Sequence, residues 1–168
     1  MKMTSAQAAK LLRQLNDEMR TLRVREDNTK TYLASVGEDP RAVRPKYYYA
    51  AMQKQQREIE RKIRVVKHAL NVFNVTHIIP EFDMTIDEML IYLPQLSKQC
   101  SKLSSMKDTL PKQREPSQYQ NSQMIDYRYA NYDPKRVEQD YITLSSKLAR
   151  AQTALDLINN TEELEINL

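Results

Sequence analysis

Glycine is almost absent from this sequence: Gly37 is the single one in 168 residues. That shortage argues against the phosphate-cradling loops and close backbone approaches that many enzymes build from glycine. There is also one cysteine, Cys100, so no disulfide can form within the chain, and a reducing compartment is expected. Tryptophan is missing and phenylalanine occurs twice, which leaves few bulky aromatics for a core. No run approaches the ~18 consecutive apolar residues of a membrane span, and the first residues lack the apolar stretch of a signal peptide. A cytoplasmic protein with no membrane partner is the expectation.

What is present is a folding composition, with 40% hydrophobic and 29% charged residues. Lys and Arg number 26 against 22 Asp and Glu, a net +4 that permits an anionic partner without demanding one. Apolar side chains recur on a three-four rhythm. Thr4-Ser5-Ala6-Gln7 has the form of a capping box. It opens a helix over residues 5–36 with a seam at Ala8, Leu11, Leu15, Met19, Leu22, Leu33 and Val36, and Gly37 is placed to end it in a left-handed cap. The seam is weak from Arg23 to Lys30.

A second helix is expected over 45–76, with Pro45 in its first turn. Met52, Ile59, Val66 and Phe73 stand seven apart in it, with Ile63 and Leu70 between. Glu58–Lys62 and Glu60–Arg64 are spaced as i,i+4 pairs. Thr85-Ile86-Asp87-Glu88 is another capping box, starting a helix over 86–110 whose seam runs through Met89, Leu93, Leu96, Cys100, Leu103 and Leu110. Pro94 should kink or break it. Residues 111–122 read as loop. Ile125, Tyr127 and Tyr129 alternate with Asp126, Arg128 and Ala130, a strand over about 124–130. The stretch from Val75 to Phe82 is its expected partner. Asp133-Pro134 starts the last helix, 134–160, with a seam at Val137, Tyr141, Leu144, Leu148, Ala151, Leu155 and Ile158. The tail from Thr161 is expected to fray or dock weakly.

The fold class is therefore mainly α: long antiparallel helical hairpins, a coiled-coil-like bundle, with a small two-stranded β element, in one domain over 1–168. Three blocks in the second half stand in order. They are Leu70-Asn71-Val72-Phe73-Asn74, then Thr85-Ile86-Asp87-Glu88-Met89-Leu90, then the strand leading through Tyr132-Asp133 into a helix closed by Asn159 and Thr161-Glu162-Glu163-Leu164. Together they resemble the septicolysin-like family of small bacterial helical proteins. The chain has Leu93-Pro94 where that family favours Arg-Asp, and Asn160 where it favours tryptophan. The resemblance implies a mostly helical, self-associating protein of unknown biochemical role.

Catalytic and metal chemistry find little support. His68 and His77 stand outside any zinc spacing, Cys100 sits on a seam as a small hydrophobe, and the Glu162-Glu163 pair lies in the tail. No catalytic residue, cofactor or metal ligand is assigned. Asn71, Asn74 and Asn159, near helix ends, form a candidate polar cluster, though asparagine at such places commonly caps a helix or fixes register. An enzyme or small-molecule site would belong near Asn71, Asn74 and Tyr127. A second candidate surface is basic and flanked by tyrosine: Arg44, Lys46, Tyr47, Tyr48, Lys54, Arg57, Arg61 and Arg64. Cations beside aromatic rings suit single-stranded nucleic acid, while Glu58 and Glu60 dilute the field and a mixed-sign helix face is commonly just solvated. The leading expectation is a non-enzymatic scaffold or interaction module that forms a homo-oligomer through its helix seams.

Overall fold

The structure, a computed structural model, describes residues 1–115 and 125–168. The loop and strand expectations that fall on residues 116–124 lie outside it. Four helices carry the fold, as the apolar rhythm predicts: α1 (Ser5–Thr29), α2 (Tyr49–Thr76), α3 (Ile86–Lys107) and α4 (Pro134–Thr161). The described strands are all short: β1 (Lys2–Thr4), β2 (Ile78–Ile79), β3 (Met84–Thr85), β4 (Lys112–Arg114), β5 (Tyr127–Tyr129) and β6 (Glu163–Glu165). They pair antiparallel in twos, β1 with β6, β2 with β3 and β4 with β5. The chain divides into two compact units, Met1–His77 with Leu157–Leu168, and Ile78–Asp156.

In the first unit α1 and α2 lie antiparallel. Glu26, near the end of α1, meets Gln53 and Gln56 near the start of α2, and Arg23 reaches Glu60 across 3.7 Å. The interface is the heptad of α2, with Met52, Ile59, Val66 and Phe73 all buried, set against Ala8, Leu15 and Met19 of α1. The capping box at Thr4 forms in both directions.

The tail does not fray. β6 pairs with β1 in the register Lys2–Glu165, Met3–Leu164 and Thr4–Glu163. Met1 and Ile166 exchange two further hydrogen bonds, at 3.0 and 2.9 Å. Alternation on β6 turns Leu164 inward and leaves both flanking glutamates in water, and Ile166 is buried beyond it. Burial of those two side chains is what holds the terminus.

Two helix boundaries differ from expectation. α1 ends at Thr29, and Leu33 and Val36 are exposed, Leu33 at 96%. α2 starts at Tyr49, with Tyr48 extended before it and Pro45 outside the helix. The two shifts have one cause. Tyr47 spans back to Glu26, so a longer α1 would run past the start of its partner and bury nothing. Gly37 is left-handed, φ +94°, but it serves a turn in which Glu38 N–H donates to the Ser35 carbonyl, eight residues beyond the helix.

In the second unit β2 and β3 form a tight hairpin. The Ile79 carbonyl accepts from the N–H groups of both Phe82 and Asp83, and Asp83 takes a left-handed φ of 50°. Thr85 and Glu88 complete their capping box at the head of α3. Pro94 stands inside α3 without breaking it. The helix stops at Lys107 rather than 110, because Pro111 disfavours helical backbone at Leu110. β5 pairs with β4, not with the stretch around Val75. Residues up to Thr76 are committed to α2, and Ile78 and Ile79 already pair with β3, which leaves 112–114 as the available edge. α4 begins at Pro134, where the Asp133 carboxylate accepts from Lys135 N–H at 3.0 Å. α3 and α4 are antiparallel: Lys147 Nζ lies over the Tyr92 ring, Lys107 Nζ over the Tyr141 ring, and the Tyr132 hydroxyl donates to the Met106 carbonyl.

Candidate functional site

Positive charge concentrates on α2, which carries six Lys and Arg against two Glu, an excess equal to that of the whole chain. Its placement follows from helical spacing. Lys54, Arg57, Arg61, Arg64 and His68 recur at three and four residues and so share one face, the face opposite the buried Met52–Phe73 seam. All five are exposed. Among the described residues none of the Lys54, Arg57, Arg61 and Arg64 cations has a carboxylate within 4 Å, although ion pairs occur elsewhere on the same hairpin.

The expected i,i+4 pairs Glu58–Lys62 and Glu60–Arg64 do not form. Glu60 turns to Arg23 on α1 instead, which takes it off the basic stripe. The field on this face is therefore less diluted than the sequence suggests.

Beside the stripe, α1 and α2 enclose a groove of about 550 Å3. Met19 and Ile63 supply its apolar floor, Arg64 and Lys67 its basic rim, and Asn16 and Asn71 its amides. Asn16 Nδ2 donates to the Leu12 carbonyl at 2.8 Å, which fixes the orientation of that amide. The groove brings in Asn16 and Arg23, which the sequence alone does not assign to a site. Their signal was present as spacing, since Asn16, Met19 and Arg23 keep the same three-four rhythm along α1.

The tyrosines divide. Tyr47 donates its hydroxyl to Glu26 Oε1 at 2.7 Å, and the same carboxylate accepts from Gln56 and Gln53 at 2.6 and 2.9 Å. The hydrogen bond from Tyr47, then that from Gln56, holds the Glu26 carboxyl below the usual carboxylate range. In return the hydrogen bond to Glu26 pushes the Tyr47 phenol up to about 12. Tyr47 is thus a clamp between α1 and the start of α2. Tyr48 is 75% exposed. Arg44 and Lys46 are exposed in the loop before α2, and Lys46 borders a smaller recess of about 140 Å3 with Arg25, Tyr47 and Tyr48.

The asparagines have separate settings. Asn71 lines the groove, Asn159 accepts a 2.6 Å hydrogen bond from Ser5 at the head of α1, and Asn74 is half-buried on α2. Tyr127 belongs to β5 of the second unit, where Lys112 Nζ lies 4.1 Å from its ring centroid. His77 stacks on Phe73 with ring centroids 3.9 Å apart. Both rings border a second groove of the first unit, about 420 Å3, between α2 and β6. Val65, Ala69, Val72, Leu164 and Ile166 give it an apolar lining. Cys100 is buried. Among the described residues no group of three His, Cys, Asp or Glu is placed to hold a metal, and no helix is long and apolar enough to cross a membrane.

No protein-family model and no curated protein matches the sequence. In fold the chain is similar to a functionally unknown conserved protein from Corynebacterium diphtheriae. The two superpose with a TM-score of 0.63 at 16% identity, over 98% of this chain and 100% of that one. At that identity the likeness is one of architecture.

Proposed function

We propose that this protein is a non-enzymatic interaction module that associates with itself through apolar helix surface. The observation that carries the reading is the second groove. Val65, Ala69 and Val72 follow one another along α2 beside the buried seam, and Leu164 and Ile166 of the β1–β6 ribbon face them. Val72 remains 45% exposed, so the stripe is only partly covered by its own chain. An apolar stripe beside a polar helix face is the kind of surface a second helix covers. The lack of catalytic function rests on the same setting: the groups with shifted protonation belong to helix caps, ion pairs and the Tyr47–Glu26 clamp. A cytoplasmic location and kinship with the septicolysin-like family belong to this proposal and rest on the sequence features described above.

Light scattering after size exclusion tests it, at low and at high salt. The expected result is one discrete oligomer that survives high salt, and dissociation in Val72→Asp. Val72 is exposed enough for that substitution to spare the fold. A monomer at both salts overturns the self-association reading.

A second reading is favoured by the unpaired stripe of Lys54, Arg57, Arg61 and Arg64, namely a nucleic-acid-binding surface. It predicts retention on DNA or RNA that weakens steeply with salt.

A further inference from the structure

The basic stripe and the α1–α2 groove adjoin, since Arg64 belongs to both. We infer that they form one composite site for single-stranded nucleic acid, with phosphates on the stripe and one unstacked base seated in the groove. This inference rests on the nucleic-acid reading and names its substrate.

The argument starts with spacing. Lys54, Arg57, Arg61 and Arg64 step along α2 by three or four residues, a rise of ~4.5–6 Å each, so cations follow one line along the helix. A line of unpaired cations tracks a sugar–phosphate backbone and gives no base specificity by itself. The groove supplies the rest. Its volume of about 550 Å3 falls in the range of roughly 300–1,000 Å3 that small-molecule sites occupy. Met19, buried, and Ile63, half-buried, present an apolar floor to the face of a base. Asn16, Asn71 and Glu60 stand around that floor and meet its edge.

Duplex nucleic acid does not fit this arrangement, because its bases are stacked and paired and only grooves and backbone are presented. A single strand can turn a base out.

The edge chemistry is directional. One amide hydrogen of Asn16 is engaged with the Leu12 carbonyl, which leaves Oδ1 to accept and the second N–H to donate. Glu60 accepts only, and it lies 3.7 Å from Arg23 of α1. The Glu60 carboxylate is the one lining group that can only accept, and it favours a base edge that donates. Cytosine offers an exocyclic amino group where thymine offers a carbonyl, and the two pyrimidines are alike in size.

Fluorescence anisotropy on the full chain tests the site, with labelled oligo-dC, oligo-dT, a duplex of equal length, the RNA counterparts of the single strands, and anionic vesicles as competitor. Single strands should bind tighter than the duplex, and oligo-dC tighter than oligo-dT. Arg57→Glu with Arg61→Glu should weaken all single strands by about tenfold or more and lower the salt slope by about two. Glu60→Gln should abolish the preference for cytosine, and Asn16→Ala with Asn71→Ala should weaken single-strand binding, each leaving the salt slope intact. Circular dichroism confirms that each variant stays helical, and all the substituted side chains are exposed. If no oligonucleotide binds, the nucleic-acid reading falls and this inference with it. If strands bind but the duplex binds equally well, or Glu60→Gln keeps the preference, the stripe stands and the base site is overturned. Equal displacement by vesicles overturns the choice of nucleic acid as the partner.

Discussion

Glu26 accepts three hydrogen bonds, two from α2 and one from the loop just ahead of it. Tyr47, Gln53 and Gln56 all donate to it. Because its folded pKa is depressed, the clamp contributes stability above the unfolded carboxylate value of ~4.3 and loses it as pH falls through the lowered folded value. Tyr47 has the opposite sign. Its raised pKa contributes fully below the unfolded value of ~10 and fades as pH rises through about 12. In a spectrophotometric titration Tyr47 should therefore ionise late, at about 12. Glu26→Gln should bring that late step down in pH, and Tyr47→Phe should remove it. If both variants titrate like the parent, the hydrogen bond is not formed in solution. The core makes a sharper contrast. Phe73 is buried, so Phe73→Ala should cost ~3–5 kcal/mol in urea unfolding. Leu33 was read as a seam residue but lies in open solvent, and Leu33→Ala should stay within ~0.5 kcal/mol of the parent. Apolar identity was legible at both positions; the presence of a facing helix at only one of them was not.

At the scale of elements, the two capping boxes came out as read. Thr4 with Gln7, and Thr85 with Glu88, complete their boxes within four residues, so the signal and the structure occupy the same stretch. Thr85→Ala should cost about 1 kcal/mol and fray the first turn of α3. The α2 heptad was equally legible, because one helix face records burial whatever covers it. The ribbons were not. A strand of three residues holds too little alternation to be seen, and β1 and β6 are joined across nearly the entire chain. Their partnership is written in no local pattern. The same limit applies to the site: the stripe on α2 could be read from spacing, while the groove needs Asn16 and Arg23 from α1 and so appeared only with the hairpin formed. Ile166→Ala tests the ribbon, with an expected loss of ~2–5 kcal/mol. Its amide, bonded to the Met1 carbonyl, should exchange slowly with solvent. Fast exchange there would mean that the tail frays after all.

For the whole molecule, the first unit takes residues from both ends of the chain, and this sets how it must assemble. Residues 1–77 provide the hairpin, but β6 and Asn159 arrive from the other end. Closing a loop that long carries an entropic cost that grows slowly with length, yet it delays contacts that local hairpins form early. The α1–α2 hairpin should accordingly gain helicity first and the ribbon last. The pairing of Met1 with Ile166 also keeps residues 1 and 168 close, two residues beyond a hydrogen bond. A circular permutant follows from this. Residue 168 is joined to residue 1 by a short Gly-Ser linker, and the chain is reopened after Gly37, in a loop whose residues from 31 to 44 are all exposed. It should keep the parent's helical circular dichroism and melt close to the parent temperature, since no packed side chain is disturbed and β1 and β6 become neighbours in sequence. It should also refold faster, because the long closure becomes a short one. A permutant opened instead at Arg61 cuts α2 between Ile59 and Val66 and should lose most of its stability. If the permutant opened after Gly37 fails while the parent folds, the ribbon is not what ties the two ends together.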